Sequence, residues 1–287
     1  MKSIQMETGL KTIQKSNSLN KHNNKALSIQ ISLSGLSFCI LNRSSTTIEH
    51  LKNIPFDKKV TPFEALERLI TALDTNTIFE QVFQSILLIY QNELSICVPK
   101  PLFNEDNSAD YLKFNAKILN TDFIAYDEIL VNNSVNVYVP YVNINNYIFD
   151  RFGVFEYKHA STLLIQTLLQ KETNSKNAIL YINVGNNQFE IIAIDKGELV
   201  FYNTFDYQTK EDFIYFILFA VEQLQLNPET IPTKLIGDIS KGDEFYGIVY
   251  KYIRFVEFIE PFHSYKFEEK QQPKTLHDNY IILNSFN

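Results

Sequence analysis

Residues 178–205 read AILYINVGNNQFEIIAIDKGELVFYNTF, and this stretch decides the fold class that the sequence predicts. Three runs rich in β-branched and aromatic residues follow one another at 179–184, 189–194 and 199–202. Short turns separate them, the first beginning at Gly185 and the second at Lys196-Gly197. Runs of this kind between turn residues are typical of strands. The stretch therefore predicts a three-stranded antiparallel meander.

A second meander is predicted near the start of the chain. Apolar and polar side chains alternate along residues 27–33, which is the period of a half-buried strand. Ser34-Gly35 supplies a hairpin turn, and residues 38–41 and 48–56 complete three strands. The pattern of the central stretch is thus present twice.

A helix is predicted after each meander. Thr61-Pro62-Phe63-Glu64 combines an N-cap, a proline at the first helical position and a capping-box glutamate. The apolar residues that follow at helical spacing are expected to pack on the sheet: Phe63, Leu66, Ile70 and Leu73. Thr209-Lys210-Glu211-Asp212 begins the second helix in a similar way. Because residues 213–226 are apolar nearly all round, we expect that helix to be buried.

The repeated order of strands and helices predicts an α/β protein of two similar lobes, each with a mixed sheet that begins in a meander. We assign residues 26–157 to the first lobe and 158–287 to the second, which we expect to end in a strand at NYIILN, residues 279–284. Residues 1–25, rich in Lys, Asn, Ser and Gln, are predicted to form a disordered N-terminal arm. A partner-binding arm is the alternative.

Charge and composition exclude several classes of function. Net charge is -7, and beyond the first 25 residues 21 basic residues face 32 acidic ones, which argues against a nucleic-acid surface. No apolar run is long enough for a membrane span, so we expect a cytoplasmic protein. Cys39 and Cys97 are far apart, and neither they nor the five histidines have the spacing of a zinc site. We therefore expect no metal centre.

The two-lobed pattern resembles the actin-like ATPase superfamily, which includes actin, the heat-shock chaperone ATPases and the sugar kinases. That resemblance implies two phosphate hairpins with D-x-G, in which Asp positions magnesium and Gly allows close approach of backbone N–H groups. Residues 183–190, NVGNNQFE, resemble the D-I-G-G-G-T-T-D hairpin. Asn183 stands in place of the first Asp, while Gly185 is retained.

The other nucleotide loops depart further from the superfamily pattern. Gln30-Ile31-Ser32 takes the D-x-G positions of the first hairpin, and Gly237 is the single glycine where the adenosine loop has a pair. The resemblance implies a degenerate nucleotide cleft, and its candidate binding residues are Gln30, Ser32, Asn183, Gly185, Asn186, Glu190 and Gly237. None of them is predicted to be catalytic, and no cofactor is expected beyond a vestigial ATP and magnesium site.

A closer resemblance covers roughly residues 26–285. The opening LSIQISLSGLSFCIL and the late LIGDI are similar to a bacterial family of uncharacterised proteins, domain of unknown function 3822, which has the actin-like fold. That family implies no established activity.

Three hypotheses on function stay open at this point. The first is a non-catalytic scaffold, a pseudo-ATPase that binds an unidentified protein partner. The second is a weak ATPase or kinase that uses a substitute carboxylate such as Glu190. The third is a cytoskeletal or envelope-assembly adaptor.

Overall fold

The structure is a computed structural model and describes residues 24–113, 117–119 and 121–287. The strands are β1 Lys25–Ile31, β2 Gly35–Asn42, β3 Thr47–Pro55, β4 Ser85–Tyr90, β5 Ser95–Pro99, β6 Ala125–Ile129, β7 Ser134–Tyr138, β8 Glu156–His159, β9 Ile179–Val184, β10 Gln188–Asp195, β11 Glu198–Asp206, β12 Pro232–Gly237, β13 Phe255–Phe258 and β14 Lys266–Phe267. The α-helices are α1 Pro62–Asp74, α2 Ser108–Lys113, α3 Val142–Phe152, α4 Ala160–Lys171, α5 Lys210–Gln223, α6 Glu244–Tyr252 and α7 Tyr280–Leu283. Short 3₁₀ helices lie at Thr77–Glu80, Lys100–Leu102, Glu105–Asn107, Leu130–Asn132 and Asn284–Phe286.

Two mixed sheets form the framework. The first has the order β14-β3-β2-β1-β4-β8 and the second the order β11-β10-β9-β12-β13. Each begins in an antiparallel meander, β1 to β3 and β9 to β11, and continues with parallel neighbours. Both predicted meanders and the predicted fold class are therefore confirmed. A small third sheet, β5-β7-β6, is wholly antiparallel.

Helix α1 begins as predicted, and its buried face includes Leu73 and partly buried Leu66 as expected but not Phe63. The Thr61 side chain and Glu64 form the capping box, and Pro62 opens the helix. The side chains of Ala65, Leu69 and Leu73 are buried, whereas Phe63 is 75% exposed. Side chains two positions apart in sequence point about 200° apart around a helix, so Phe63 and Ala65 cannot share a face. The prediction that Phe63 packs on the sheet was wrong.

Hydrophobic packing arranges the sheets and helices in layers. α1 and α3 cover one face of the first sheet, and α5 and α6 cover the outer face of the second. Between the two sheets lie α4 and α7, which pack with apolar residues from both. Within α4 nine residues are buried, among them Leu164 and Leu168. A separate small core lies beneath the third sheet.

The C-terminal segment differs from its prediction. The run at residues 279–284, expected to be a strand, contains helix α7, and the side chains of Tyr280 to Leu283 are all buried. A single-turn helix satisfies part of its own backbone, as in the hydrogen bond from the Leu283 N–H to the Asn279 carbonyl at 3.0 Å. Before it, β14 pairs with β3 of the first sheet. The division of the chain between residues 157 and 158 stays a prediction.

Two further expectations concern the ends and exposure of elements. Residues 1–23 of the predicted N-terminal arm lie outside the described residues, and Lys25 already belongs to β1. Helix α5 is not buried all round, because Tyr215 and Phe219 are exposed on its outer side.

Among the helices of the described residues, none has the length and apolar character needed to cross a bilayer.

Candidate functional site

A cleft of about 610 Å³ lies between the two sheets. Two pairs of parallel strands, β1 with β4 and β9 with β12, end at this cleft. Residues at or near those ends line it: Gln30 of β1, Gln91 after β4, Asn183 of β9 and Gly237 of β12. Ligands of open α/β sheets bind at such carboxyl ends. The cleft is large enough for a small-molecule ligand.

The structure brings most of the predicted cleft residues together. Gln30, Ser32, Asn183, Gly185 and Gly237 line the cleft. Asn186 lies in the exposed turn of the β9–β10 hairpin, and Glu190 is buried within β10. The sequence had not indicated the residues that line the cleft from β3, from the end of β4 and from residues 270–278: Asn53, Gln91, Lys270, Gln271, Gln272, Lys274 and Asp278.

In the first hairpin, polar groups that face the cleft bond to each other. Gln30 Nε2 donates to Gln91 Oε1 at 2.7 Å. The Ser32 N–H donates to the Gly35 carbonyl at 3.0 Å, and the Ser34 N–H donates to Ser32 Oγ at 3.2 Å. These two backbone donors of the turn are therefore already used within the hairpin.

In the second hairpin the Asn183 amide is turned toward its own sheet. Asn183 and Glu190 are directly opposite each other in the β9–β10 register, and Asn183 Nδ2 donates to Glu190 Oε2 at 2.6 Å. The Gly185 N–H donates to the Gln188 carbonyl at 2.9 Å. The side chain at the Asp position and the backbone of the retained glycine both have internal partners.

Glu190 is buried behind Asn183 and is not among the residues that line the cleft. The Tyr202 hydroxyl donates to Glu190 Oε1 at 2.7 Å, so both carboxyl oxygens are hydrogen-bonded. Burial raises the pKa of the Glu190 carboxyl, and the hydrogen bonds from Tyr202 and Asn183 offset only part of that shift. Burial likewise raises the pKa of the Tyr202 phenol. The Glu190 carboxyl thus joins β10 to Asn183 of β9 and to Tyr202 of β11 by hydrogen bonds.

The loop after β12 is closed by the backbone around it. Gly237 has φ of +84°, and a Cβ at this position would lie 2.2 Å from the Val184 carbonyl oxygen. Its N–H donates to the His277 carbonyl at 3.1 Å, and the Asp238 N–H donates to the Val184 carbonyl at 2.8 Å. The third nucleotide-type loop thus also has its backbone donors occupied.

The C-terminal segment, defined here as residues 266–287, crosses the cleft and contacts both sheets. On the side of the first sheet, Gln271 Oε1 accepts a hydrogen bond from the Leu51 N–H at 2.8 Å. On the side of the second sheet, His277 Nε2 donates to the Ile239 carbonyl at 2.7 Å, and its ring stacks on Phe258 at 4.1 Å. The segment therefore lines the cleft and bonds to residues of both sheets or of the loops that follow them.

Charge within the cleft is balanced. The charged residues that line it are Asp238, Lys270, Lys274 and Asp278. In the part of the chain that the structure describes, no group of three or more His, Cys, Asp or Glu residues is placed to hold a metal ion. Amides and hydroxyls dominate the positions nearest the strand ends. Such groups orient a ligand by hydrogen bonds but bind a divalent cation poorly, because they carry no charge.

Replacement of the Glu190 carboxyl is expected to change the pH dependence of stability. A carboxyl whose folded pKa is raised favours folding while protonated, and this contribution is lost as pH rises from the ordinary value of 4.5 through the folded pKa. The free energy of unfolding of Glu190→Gln, minus that of the wild type, should therefore be larger at pH 8 than at pH 5. Urea unfolding at several pH values measures it. Glu198→Gln, exposed on the next strand, is the control, and equal pH slopes for Glu190→Gln and the wild type would contradict the assignment.

The sequence matches the family of proteins of unknown function DUF3822 over residues 14–256. The chain belongs to this family. The resemblance predicted from the two sequence runs is thereby confirmed. No curated protein matches the sequence.

Solved structures similar to this DUF3822 protein share the actin-like fold. A Bacteroides thetaiotaomicron protein with actin-like ATPase fold and unknown function superposes with a TM-score of 0.76 at 19% identity, covering 91% of this chain and 95% of that chain. The PilM-PilN type IV pilus biogenesis complex gives a TM-score of 0.61 at 11% identity, covering 90% and 96%. At these identities the likeness establishes the fold of the DUF3822 protein and not an activity.

Proposed function

We propose that this protein is a non-catalytic, actin-like scaffold whose function is to bind a protein partner. One observation carries the proposal: in all three nucleotide-type loops, backbone donors are bonded within the protein. The Ser32 and Ser34 donors stay in their hairpin, Gly185 bonds Gln188, and Gly237 bonds the C-terminal segment. A phosphate group needs such donors free, because they supply the concave nest that holds it.

The lack of carboxylates at the magnesium positions supports the same proposal. Gln30 and Asn183 are neutral and are bonded to Gln91 and Glu190. The substitute carboxylate of Glu190 is buried in the second sheet and already accepts two hydrogen bonds. Magnesium prefers anionic oxygen ligands in an open site, and it neutralises much of the charge of a triphosphate. Without it, a nucleotide loses several kcal/mol of binding.

The C-terminal segment is hydrogen-bonded to both sheets, and this supports a protein in which the sheets do not move relative to each other. Ser285 Oγ and Ser28 Oγ lie 2.6 Å apart on the first sheet, while the His277 carbonyl bonds Gly237 of the second. Enzymes that close around a substrate need hinges that open and close. A segment hydrogen-bonded to both halves restrains that motion and holds the outer surfaces in one arrangement.

Buried hydrogen bonds also connect the third sheet to helix α4. Asn136 Nδ2 of β7 donates to Ser161 Oγ at 2.9 Å and to Thr162 Oγ1 at 3.0 Å, and His159 Nδ1 lies 2.7 Å from Ser161 Oγ. Burial lowers the pKa of His159 to about 3, so its ring is neutral near pH 7. These buried hydrogen bonds from Asn136 Nδ2 hold β7, and with it the third sheet, against α4.

Two further observations support partner binding and a cytoplasmic location. The PilM-PilN structure shows that a protein of this fold is known in a complex with another protein. A cytoplasmic location is supported by the free thiols of Cys39 and Cys97, since reduced cysteines are typical of that compartment. In this scaffold, residues 26–157 form one lobe and residues 158–287 the other.

Isothermal titration calorimetry with ATP tests the non-catalytic half of the proposal. We expect no heat of binding at micromolar protein, and the same result with magnesium or with EDTA, because the backbone donors of Ser32, Ser34, Gly185 and Gly237 are already bonded and the magnesium positions carry neutral amides. Micromolar binding that requires magnesium would overturn the scaffold and favour the weak ATPase or kinase. In that event Asn183→Ala and Glu190→Ala would show which side chain holds the metal.

Affinity capture from the native host tests the partner half. A stoichiometric partner identified by intact-mass measurement is expected. A preparation that recovers no such partner, yet hydrolyses ATP, would reverse the ranking of the two functions.

A further inference from the structure

The outer side of α5 carries a stacked pair of aromatic rings. Tyr215 is 61% exposed and Phe219 is 46% exposed, although most large apolar residues of the helix are buried or half-buried. Their rings lie 6.2 Å apart at an interplanar angle of 18°. Residues four apart share one face of a helix, so the pair forms a continuous stripe. Exposed aromatic surface of this kind is typical of an interaction site.

The pair is held in place from below. Phe216 contacts the Tyr215 ring at 5.4 Å and stacks on Phe205 of β11 at 5.0 Å. Phe205 in turn stacks on Phe189, which is buried in the sheet, at 5.5 Å. We call Phe205, Tyr215, Phe216 and Phe219 the α5 platform. Because each ring packs on the next, the platform is rigid and would lose little entropy on binding.

Acidic side chains bound the platform at both ends. Glu211 lies one turn before Tyr215, and Glu222 lies about one turn after Phe219, and both are exposed. The single cation of the helix, Lys210, is bonded to Glu244 at 3.1 Å. The platform therefore presents aromatic faces between negative charges.

This charge arrangement decides between possible occupants. A second copy would place glutamates opposite glutamates if the two stripes met face to face, and an anionic membrane or nucleic acid would be repelled. Addition of a strand to the neighbouring edge of β11 is also disfavoured. There the Leu199 N–H is bonded to Asn132 Oδ1 at 3.3 Å and the Thr204 N–H to Asn203 Oδ1 at 3.0 Å. A cationic protein segment is the occupant that fits.

We propose that the α5 platform binds an arginine-bearing segment of the partner protein. A guanidinium group stacks flat on the exposed faces of Tyr215 and Phe219, while its charge is attracted by Glu211 and Glu222. Arginine fits better than lysine because its planar group covers an aromatic face and is less strongly hydrated. This inference rests on the proposed scaffold function and names the chemistry of its partner.

Fluorescence anisotropy with labelled hexa-arginine tests the platform. We expect the double variant Tyr215→Ala/Phe219→Ala to bind the peptide at least tenfold more weakly than the wild type. Tyr250→Ala removes an equally exposed tyrosine from α6 and should leave the affinity unchanged. Glu211→Gln/Glu222→Gln should weaken binding at low salt and have a smaller effect at high salt.

Two results would overturn the platform: wild-type affinity in the Tyr215→Ala/Phe219→Ala variant, or an equal loss in Tyr250→Ala. Circular dichroism melting of each variant shows that the fold is retained, as expected for exposed side chains. The outcome is separable from that of the scaffold proposal. Magnesium-dependent ATP binding would contradict the scaffold proposal, whether or not hexa-arginine binds. If the protein binds no ATP but the platform variants bind hexa-arginine as the wild type does, only the proposal of an arginine-bearing partner is contradicted.

Discussion

Deletion of residues 276–287 is expected to abolish cooperative folding of the protein. The deletion removes five buried apolar side chains from the core between the sheets, those of Tyr280, Ile281, Ile282, Leu283 and Phe286. At about 1.5–3 kcal/mol for each buried side chain, the loss is roughly 7–15 kcal/mol. That range equals the whole stability of an ordinary domain, about 5–15 kcal/mol. Thermal and urea unfolding followed by circular dichroism measure the effect.

Point variants in the same segment separate core packing from chain length. Ile282→Ala should lower the free energy of unfolding by about 2–5 kcal/mol, because a cavity remains in a close-packed core. Leu276→Ala is the matched control, since its side chain is exposed, and should change stability by less than about 0.5 kcal/mol. If the deletion variant unfolds with the wild-type midpoint, α7 is not part of the core.

Gly237→Ala is expected to be the most damaging single-methyl substitution in the cleft. The residue has positive φ, which costs a residue with a Cβ about 1–2 kcal/mol. The new methyl group would also lie 2.2 Å from the Val184 carbonyl oxygen, so strands β9 and β12 must separate. We expect a total loss of roughly 3–5 kcal/mol in the free energy of unfolding, measured by urea denaturation.

Gly247→Ala provides the control for the glycine substitution. Gly247 lies inside α6, and a Cβ there meets no atom within 4 Å. Alanine is a better helix former than glycine, so this variant should be stabilised by about 0.5–1 kcal/mol. Equal stability of the two variants would show that the backbone around the cleft is not closed in the manner described.

Local patterns in the sequence were sufficient to predict the framework. Both meanders follow from runs of β-forming residues between turns, and the starts of α1 and α5 follow from Thr61 and Thr209 with their capping boxes. These signals depend on neighbours within a few residues, and local sequence therefore reports them directly. The positions of Gln30 and Asn183 in one cleft followed from the resemblance to the actin-like fold.

Burial was harder to predict because it depends on contacts distant in sequence. Phe63, Tyr215 and Phe219 are as apolar as their buried neighbours, and only the packing of the sheets shows that they face outward. The run at residues 279–284 has the composition of a strand, yet it forms helix α7, whose four side chains pack in the core between the sheets. Tertiary context overrides propensity in both cases.

The sequence by itself determined the fold class, the family and the loss of carboxylates at the magnesium positions, since each is recorded in residue type and order. Only the tertiary structure decided that the cleft donors are already bonded. The hydrogen bond from Gly237 to His277, and the crossing of the cleft by the C-terminal segment, join residues far apart in the chain. Whether a backbone N–H is already hydrogen-bonded depends on which groups lie next to it in space, and local sequence does not specify those neighbours.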